Sequence, residues 1–255
     1  MNGSIPPRRP PVTAADMDYG AARSRRLLID AAKALSSFGD AVTVIGAHAV
    51  HVWAEEAWGP TQMESTRDAD VLIDPAFVTG EPSLIDLMGQ VGVEAALRDR
   101  PGVYGFVAEA VWDRHLKTLS TVDQPFASVS VHVAGPAGLL VAKAHKVHER
   151  LTQAKARPDR LKSKDSGDVA LLMMASDPAE VAFVMETQAR EHEEIAQTVT
   201  AAARWLVEMY GSGAAAPRRH AADSFAARLD RSEVYEAIDR WIASFVVATA
   251  PWATK

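Results

Sequence analysis

The sequence predicts an α+β fold, a small mixed sheet followed by a C-terminal bundle of helices. Three observations predict it. Short β-branched runs occur only in the first half: "AVTVIG" at 41–46, "ESTRDADVLID" at 64–74 and "ASVSVHVAG" at 127–135. Stretches with helical spacing of apolar residues lie between them. From residue 136 onward the pattern is helical throughout, over roughly 136–156, 165–175, 178–210 and 222–248, with "GSGAAAP" at 211–217 as a flexible joint. The expected division is an arm at 1–20, an α/β core at 21–135 and a helical domain at 136–255.

Each element has a local reason. Leu27, Leu28, Ala31, Ala32, Leu35 and Phe38 recur every three to four residues, and Gly39 stops that helix. "AVTVIG" is a strand ended by glycine, and "AHAVHVWAEEAW" at 47–58 is a helix closed by Gly59-Pro60. The run at 64–74 ends at Asp74-Pro75. "PSLIDLMGQVGVEAALRD", 82–99, is helical, although Gly89 and Gly92 weaken it. The stretch 103–121 fits helix or strand. "ASVSVHVAG" alternates strictly and is the clearest strand in the chain.

Composition narrows the function. The chain has 255 residues, 48% of them hydrophobic and 24% charged, ordinary values for a soluble globular protein. It has no uncharged apolar run of about 18 residues, so no membrane partner is expected. The start, "MNGSIPPRRPPVTAAD", has prolines where a signal peptide is apolar, which points to a cytoplasmic protein. With no cysteine there is no thiol nucleophile and no Cys-ligated zinc. Neither a P-loop nor a G-x-S-x-G occurs. The net charge of −6 argues against a wholly basic nucleic-acid surface. Between Lys143 and Lys164, however, eight basic residues stand against two acidic ones, a local charge of +6. A solvated helix face is the plain account of such a run, and an anion site is the other.

The carboxylates of "ESTRDADVLID" carry the chemistry. On a strand Asp68 and Asp70 share a face about 7 Å apart, opposite Ala69, Val71 and Ile73. Two anions that close repel, and a hard cation between them reverses the sign. Mg²⁺ suits, since it takes one or two carboxylates and fills its shell with water and phosphate oxygens. Two ordinary aspartates on an exposed strand face are the plain alternative. About 20 residues upstream, "VIGAHAV" is a strand, a glycine turn and a helix start, a place where backbone N–H groups receive phosphate.

Strand, glycine turn, helix and a D-x-D strand resemble the nucleotidyltransferase superfamily that includes DNA polymerase beta. The chain is most similar in pattern to the AbiEii-type proteins, many of them toxins of type IV toxin–antitoxin systems. "VTVIGAHAV" resembles the glycine motif and "STRDADVLID" the T-x-D-x-D strand, with Thr66, Asp68 and Asp70 in the matching places. "LLVAKAHKVHERL" and "RLKSKDSGDVALLM" resemble the lysine helix and the K-D-x-x-D helix start. Coverage is roughly residues 22–175.

The resemblance implies a small mixed-sheet nucleotidyltransferase core, then helices. It implies Mg²⁺-dependent transfer of a nucleoside monophosphate from a triphosphate to a hydroxyl of RNA, such as tRNA, or of a protein. A toxin with a cognate antitoxin is one setting for that activity. Asp68, Asp70, Lys143 and Asp165 take the catalytic places, with Asp168 as the second aspartate of the last motif. Gly46, Ala47, Thr66, Lys146 and Arg150 take the nucleotide-binding places.

There are departures. Ala47 follows Gly46 where Gly or Ser is usual, and Glu64 stands where many relatives have arginine. The strand "SVSVHV" carries Ser128, Ser130 and His132 where a third carboxylate is expected. Asp113 is the first substitute as a metal ligand beside Asp68 and Asp70, and Asp123 the next. Asp165 would orient Lys143 or the acceptor, or cap its helix.

Two alternatives stand beside this reading. One is a catalytically degenerate scaffold of the same fold that binds nucleotide or a partner. The other is a small-molecule nucleotidyltransferase acting on an antibiotic. His48/His51 and His145/His148, three apart on helices, are weak metal pairs without a third ligand. Trp53, Trp58, Trp205 and Trp241 are expected to serve packing.

Overall fold

The computed structural model describes residues 19–59, 70–74, 83–90, 112–121, 128–154, 156, 162–213, 215–226 and 229–252. Helix α1, Tyr19–Ala34, runs into 3₁₀ turns at Leu35–Ala41, which break at Gly39 with φ 52°. Its buried stripe is Leu28, Ile29, Ala31, Ala32 and Leu35. Leu27, expected to face inward, is 38% exposed, and Ile29 takes the inward place.

Among the described residues there are four strands: β1 Val42–Ile45, β2 Asp70–Ile73 and β4 Val129–Ala134 fall in the three expected runs, and β3 Arg114–Leu119 resolves as strand part of the stretch 103–121 that by sequence fits either helix or strand. They form one mixed sheet in the order β2-β1-β4-β3. β1 is antiparallel to β2 and parallel to β4, and β3 is antiparallel to β4. The β1–β2 register sets Ile45 beside Asp70 and Thr43 beside Leu72, so Asp70 and Leu72 share one face. Val71 and Ile73 lie beside Val44 and Val42 on the other, as the alternation predicts.

Helix α2, Gly46–Trp58, leaves the end of β1 directly. Trp53 fastens it to the far strands. Its Nε1–H donates to the Ala134 carbonyl at 2.8 Å, His115 meets its ring edge-on at 5.0 Å, and Lys117 Nζ lies 4.1 Å from the ring centre. Trp241 stacks on Phe245 and Trp205 on His148, so these rings pack as expected. Trp58 does not pack fully; it is 40% exposed. Helix α3, Leu84–Gln90, is the described part of the helix expected over 82–99.

The remaining helices are α4 Pro136–Gln153, α5 Ser163–Ala175, α6 Pro178–Glu191, α7 Glu193–Tyr210, α8 Ala216–Ser224 and α9 Arg231–Thr249. Two expected long helices are each divided. The span 178–210 breaks at His192, which leaves helical geometry with φ −128° and ψ 87°. The span 222–248 starts earlier as α8 and restarts at α9, where Asp230 and Glu233 form a reciprocal capping box. Pro217 begins α8 rather than ending a joint, since its missing N–H costs nothing in a first turn.

The two halves share one core. Val44, Val50 and Val133 of the α/β part belong to the same buried cluster as Leu140, Leu172, Leu206 and Phe245 of the helices. Helix α2 makes the join by packing against both α4 and α5. Among the described residues no helix is long and apolar enough to cross a membrane.

Candidate functional site

The end of β1 positions the first part of the site. Gly46 opens α2 with φ 70°, a conformation that L side chains rarely adopt. The antiparallel register brings Asp70 alongside, and a methyl group on Gly46 would overlap the Asp70 carboxylate. Asp70 is exposed. The first turn of α2 contains no acidic residue and receives no side-chain cap from Ile45. The Asp70 anion therefore lies where the helix dipole favours negative charge. Ala47, next in that turn, is buried.

Helix α4 supplies the cations. Gly135 precedes it, Pro136 opens it, and the Asp113 carboxylate accepts from the Gly138 N–H at 2.8 Å. Lys143, Lys146 and Arg150 follow at three-to-four spacing and so share a face. The start of α5 lies opposite. Lys143 Nζ meets Asp168 Oδ2 at 2.5 Å, with both groups buried. Lys146 Nζ lies 3.0 Å from Asp165 Oδ1, and Arg150 pairs with Asp165 Oδ2.

Electrostatics tie these pieces together. Burial pushes the Lys146 amine down to about 8, and the Lys143 and Arg150 charges push the same way. The Asp168 and Asp70 charges oppose that shift, so the β2 end and the α4 face lie within electrostatic reach. On α2, His48 Nε2 lies 3.0 Å from Ser24 Oγ. Burial, then the charges of Arg25, His51 and Lys164, hold His48 down at about 3. His51 is held near 4, chiefly by burial, with Asp168 opposing. His51 Nε2 is buried without a hydrogen-bond partner. Both imidazoles are therefore neutral near pH 7; the spacing of the pair is visible in the sequence, but its burial is not.

Several expectations need correction. Asp113 does not stand beside Asp70. It precedes β3, and strands β1 and β4 intervene, three steps of about 4.8 Å each. Its oxygens are engaged by Gly138 N–H and, at 3.2 Å, by His115 Nε2, while its backbone carbonyl accepts from Gly135 N–H at 2.6 Å. It is the cap of α4, and a side chain at Gly135 would overlap it. The partner of Lys143 is Asp168, not Asp165. Asp165 does not cap α5 either, because Lys162 holds the N-cap place and Asp165 lies within the first turn. His145 and His148 serve Trp205: one meets the ring edge-on at 4.7 Å, the other stacks at 3.7 Å.

Thr66, Asp68 and Asp123 lie outside the described residues. His132 on β4 lies 3.6 Å from Asp40, and Ser130 faces Thr118 at 3.4 Å. Among the described residues no group of three or more His, Asp or Glu side chains is placed to hold a metal ion. One exposed carboxylate, Asp70, fits the usual protein share of a Mg²⁺ shell, which is one or two carboxylates.

The chain matches no protein-family model, no curated protein and no solved structure.

Proposed function

We propose that this protein is a Mg²⁺-dependent nucleotidyltransferase of the cytoplasm, acting on a hydroxyl of RNA, such as tRNA, or of a protein. One observation carries the reading. Gly46, Asp70 and Lys146 come from three separate segments, yet Asp70 abuts Gly46 and its charge acts on Lys146. An exposed carboxylate, a glycine-opened helix start and an ammonium group together suit a metal-bound polyphosphate.

The reaction would be attack of a hydroxyl on the α-phosphorus, with pyrophosphate leaving in line. Asp70, with Asp68 two residues before it in sequence, would hold Mg²⁺, which supplies neutralisation of charge on the phosphate oxygens. The N-terminal turn of α2 would receive phosphate oxygens, and Gly46 lets the Asp70 carboxylate sit against that turn. Lys146, half-exposed, supplies positive charge, and Lys143, one turn before it on α4 and held by Asp168 at rest, would add its own on leaving that pair. Asp165 holds Lys146 and Arg150 on the same face. Growth arrest on expression would add the toxin setting and, with it, a cognate antitoxin.

A specific observation favours a second reading, a scaffold of the same fold that binds nucleotide without efficient transfer. The carboxylate nearest in role to a third metal ligand, Asp113, is engaged as a helix cap. Incubation of the protein with labelled triphosphates, Mg²⁺ and cell extract separates the two. The enzyme reading predicts label transfer that Asp70→Asn abolishes. Transfer that survives Asp70→Asn contradicts it, and triphosphate binding without transfer selects the scaffold.

A further inference from the structure

Lys143 cannot serve a polyphosphate and Asp168 at once. In the structure it is buried and committed to Asp168 at 2.5 Å. A ligand that draws the ammonium away leaves a buried carboxylate without its cation, which is strongly unfavourable unless another donor replaces it. His51 offers an unused ring nitrogen on the helix that packs against this pair. It lies on α2, which packs against both α4 and α5; its Nε2 is buried without a partner, and among the described residues Asp168 acts to raise its proton affinity.

We infer that His51 is the alternate partner of Asp168: when a polyphosphate takes Lys143, a solvent proton enters His51 Nε2 and the resulting N–H donates to the Asp168 carboxylate. This inference rests on the proposed docking of polyphosphate beside α2, α4 and α5. His51 is thereby a positioning residue that lets Lys143 leave its resting pair.

The surroundings set the direction of the coupling. Lys143 from α4, Lys164 from α5 and Arg25 from α1 lower the proton affinity of His51, and among the described residues Asp168 raises it. His48, on the same helix, meets the His51 ring edge-on at 6.3 Å and is itself kept neutral. Neutralising Lys143 with a polyanion removes one opposing charge and uncovers the Asp168 charge. Both changes favour the imidazolium.

The test is a histidine-resolved NMR titration of the full chain. Native His51 should titrate near 4. In Lys143→Met the midpoint should rise by about two pH units, because an uncovered carboxylate nearby shifts an imidazole by about one to three. In Lys143→Met with Asp168→Asn it should fall back. A Lys143→Met midpoint unchanged from the native one overturns the inference. Should that variant not fold, Lys143→Gln keeps a donor on Asp168 and should still show a rise of about one unit. No rise there also overturns it.

A calorimetric arm uses inorganic tripolyphosphate with Mg²⁺ at pH 6 in two buffers of different protonation heat. With its midpoint raised from about 4 by about two units, His51 should make the native protein take up about half a proton more per ligand bound than His51→Gln. Equal uptake in both proteins overturns the inference. Absence of any binding heat counts against polyphosphate docking, while the ligand-free titration still decides whether His51 answers Asp168.

Discussion

Gly46 and Asp70 are neighbours that leave no room between them: the backbone at Gly46 occupies the positive-φ region, and the Asp70 carboxylate fills the place a β-carbon would need. That relationship gives a prediction with an unusual sign. In an ordinary helix position, Gly→Ala stabilises by about 1 kcal/mol. Here Gly46→Ala should destabilise by about 1–3 kcal/mol, through strain at φ 70° and displacement of Asp70. Chemical denaturation of the native protein and the variant measures the difference.

Asp113 should behave as a cap and not as a metal ligand. Asp113→Ala is predicted to cost about 1–2 kcal/mol, since the Gly138 N–H loses its acceptor at the start of α4. Asp113→Asn keeps an acceptor and should recover most of that loss. Neither change should alter the Mg²⁺ concentration needed for nucleotide binding, which titration at several Mg²⁺ concentrations would show.

The buried Lys143–Asp168 pair should show strong coupling. Asp168→Asn alone strands a buried ammonium and should cost about 3–5 kcal/mol. Adding Lys143→Met should restore part of that stability rather than add to the loss. A double-mutant cycle in urea tests this, with additive losses as the contrary result.

Acid should destabilise the protein through the α2 histidines. His48 and His51 are held at about 3 and about 4, below the ordinary 6.5. Their lowered values favour the folded state above pH 6.5, and that contribution is lost as pH falls through 6.5 toward 4. The unfolded chain binds the protons that the folded one refuses. For His48 the full loss, from 6.5 down to about 3, is on the order of 5 kcal/mol, each pH unit being about 1.4 kcal/mol. His48→Gln should flatten the fall in melting temperature between pH 7 and pH 5, as thermal unfolding at both pH values would reveal.

Much of this arrangement is legible in the sequence, and the rest fails for physical reasons. β1, β2 and β4 read well because β-branched alternation and the glycine at 46 are local signals, whereas β3, RHLKTL, has a single β-branched residue and its stretch fits helix or strand. The face shared by Asp70 and Leu72 follows from period two alone. The cation face of α4 follows from the spacing of Lys143, Lys146 and Arg150. What period and spacing do not encode is partner choice across the fold. Nothing near Lys143 in sequence distinguishes Asp165 from Asp168; the rotation of α5 against α4 decides it. Asp113 lies within hydrogen-bond reach of the α4 start only because β3 pairs antiparallel with β4. The break at His192 has no glycine or proline to announce it.

The most direct test of the central claim is a calorimetric titration of the native protein and of Asp70→Asn with a nucleoside triphosphate, with and without Mg²⁺. The account predicts binding by the native protein that requires Mg²⁺ and weakens about tenfold or more in Asp70→Asn, a loss of about 1.4 kcal/mol or greater. Equal affinity in the two proteins, or no heat from the native one, would contradict it.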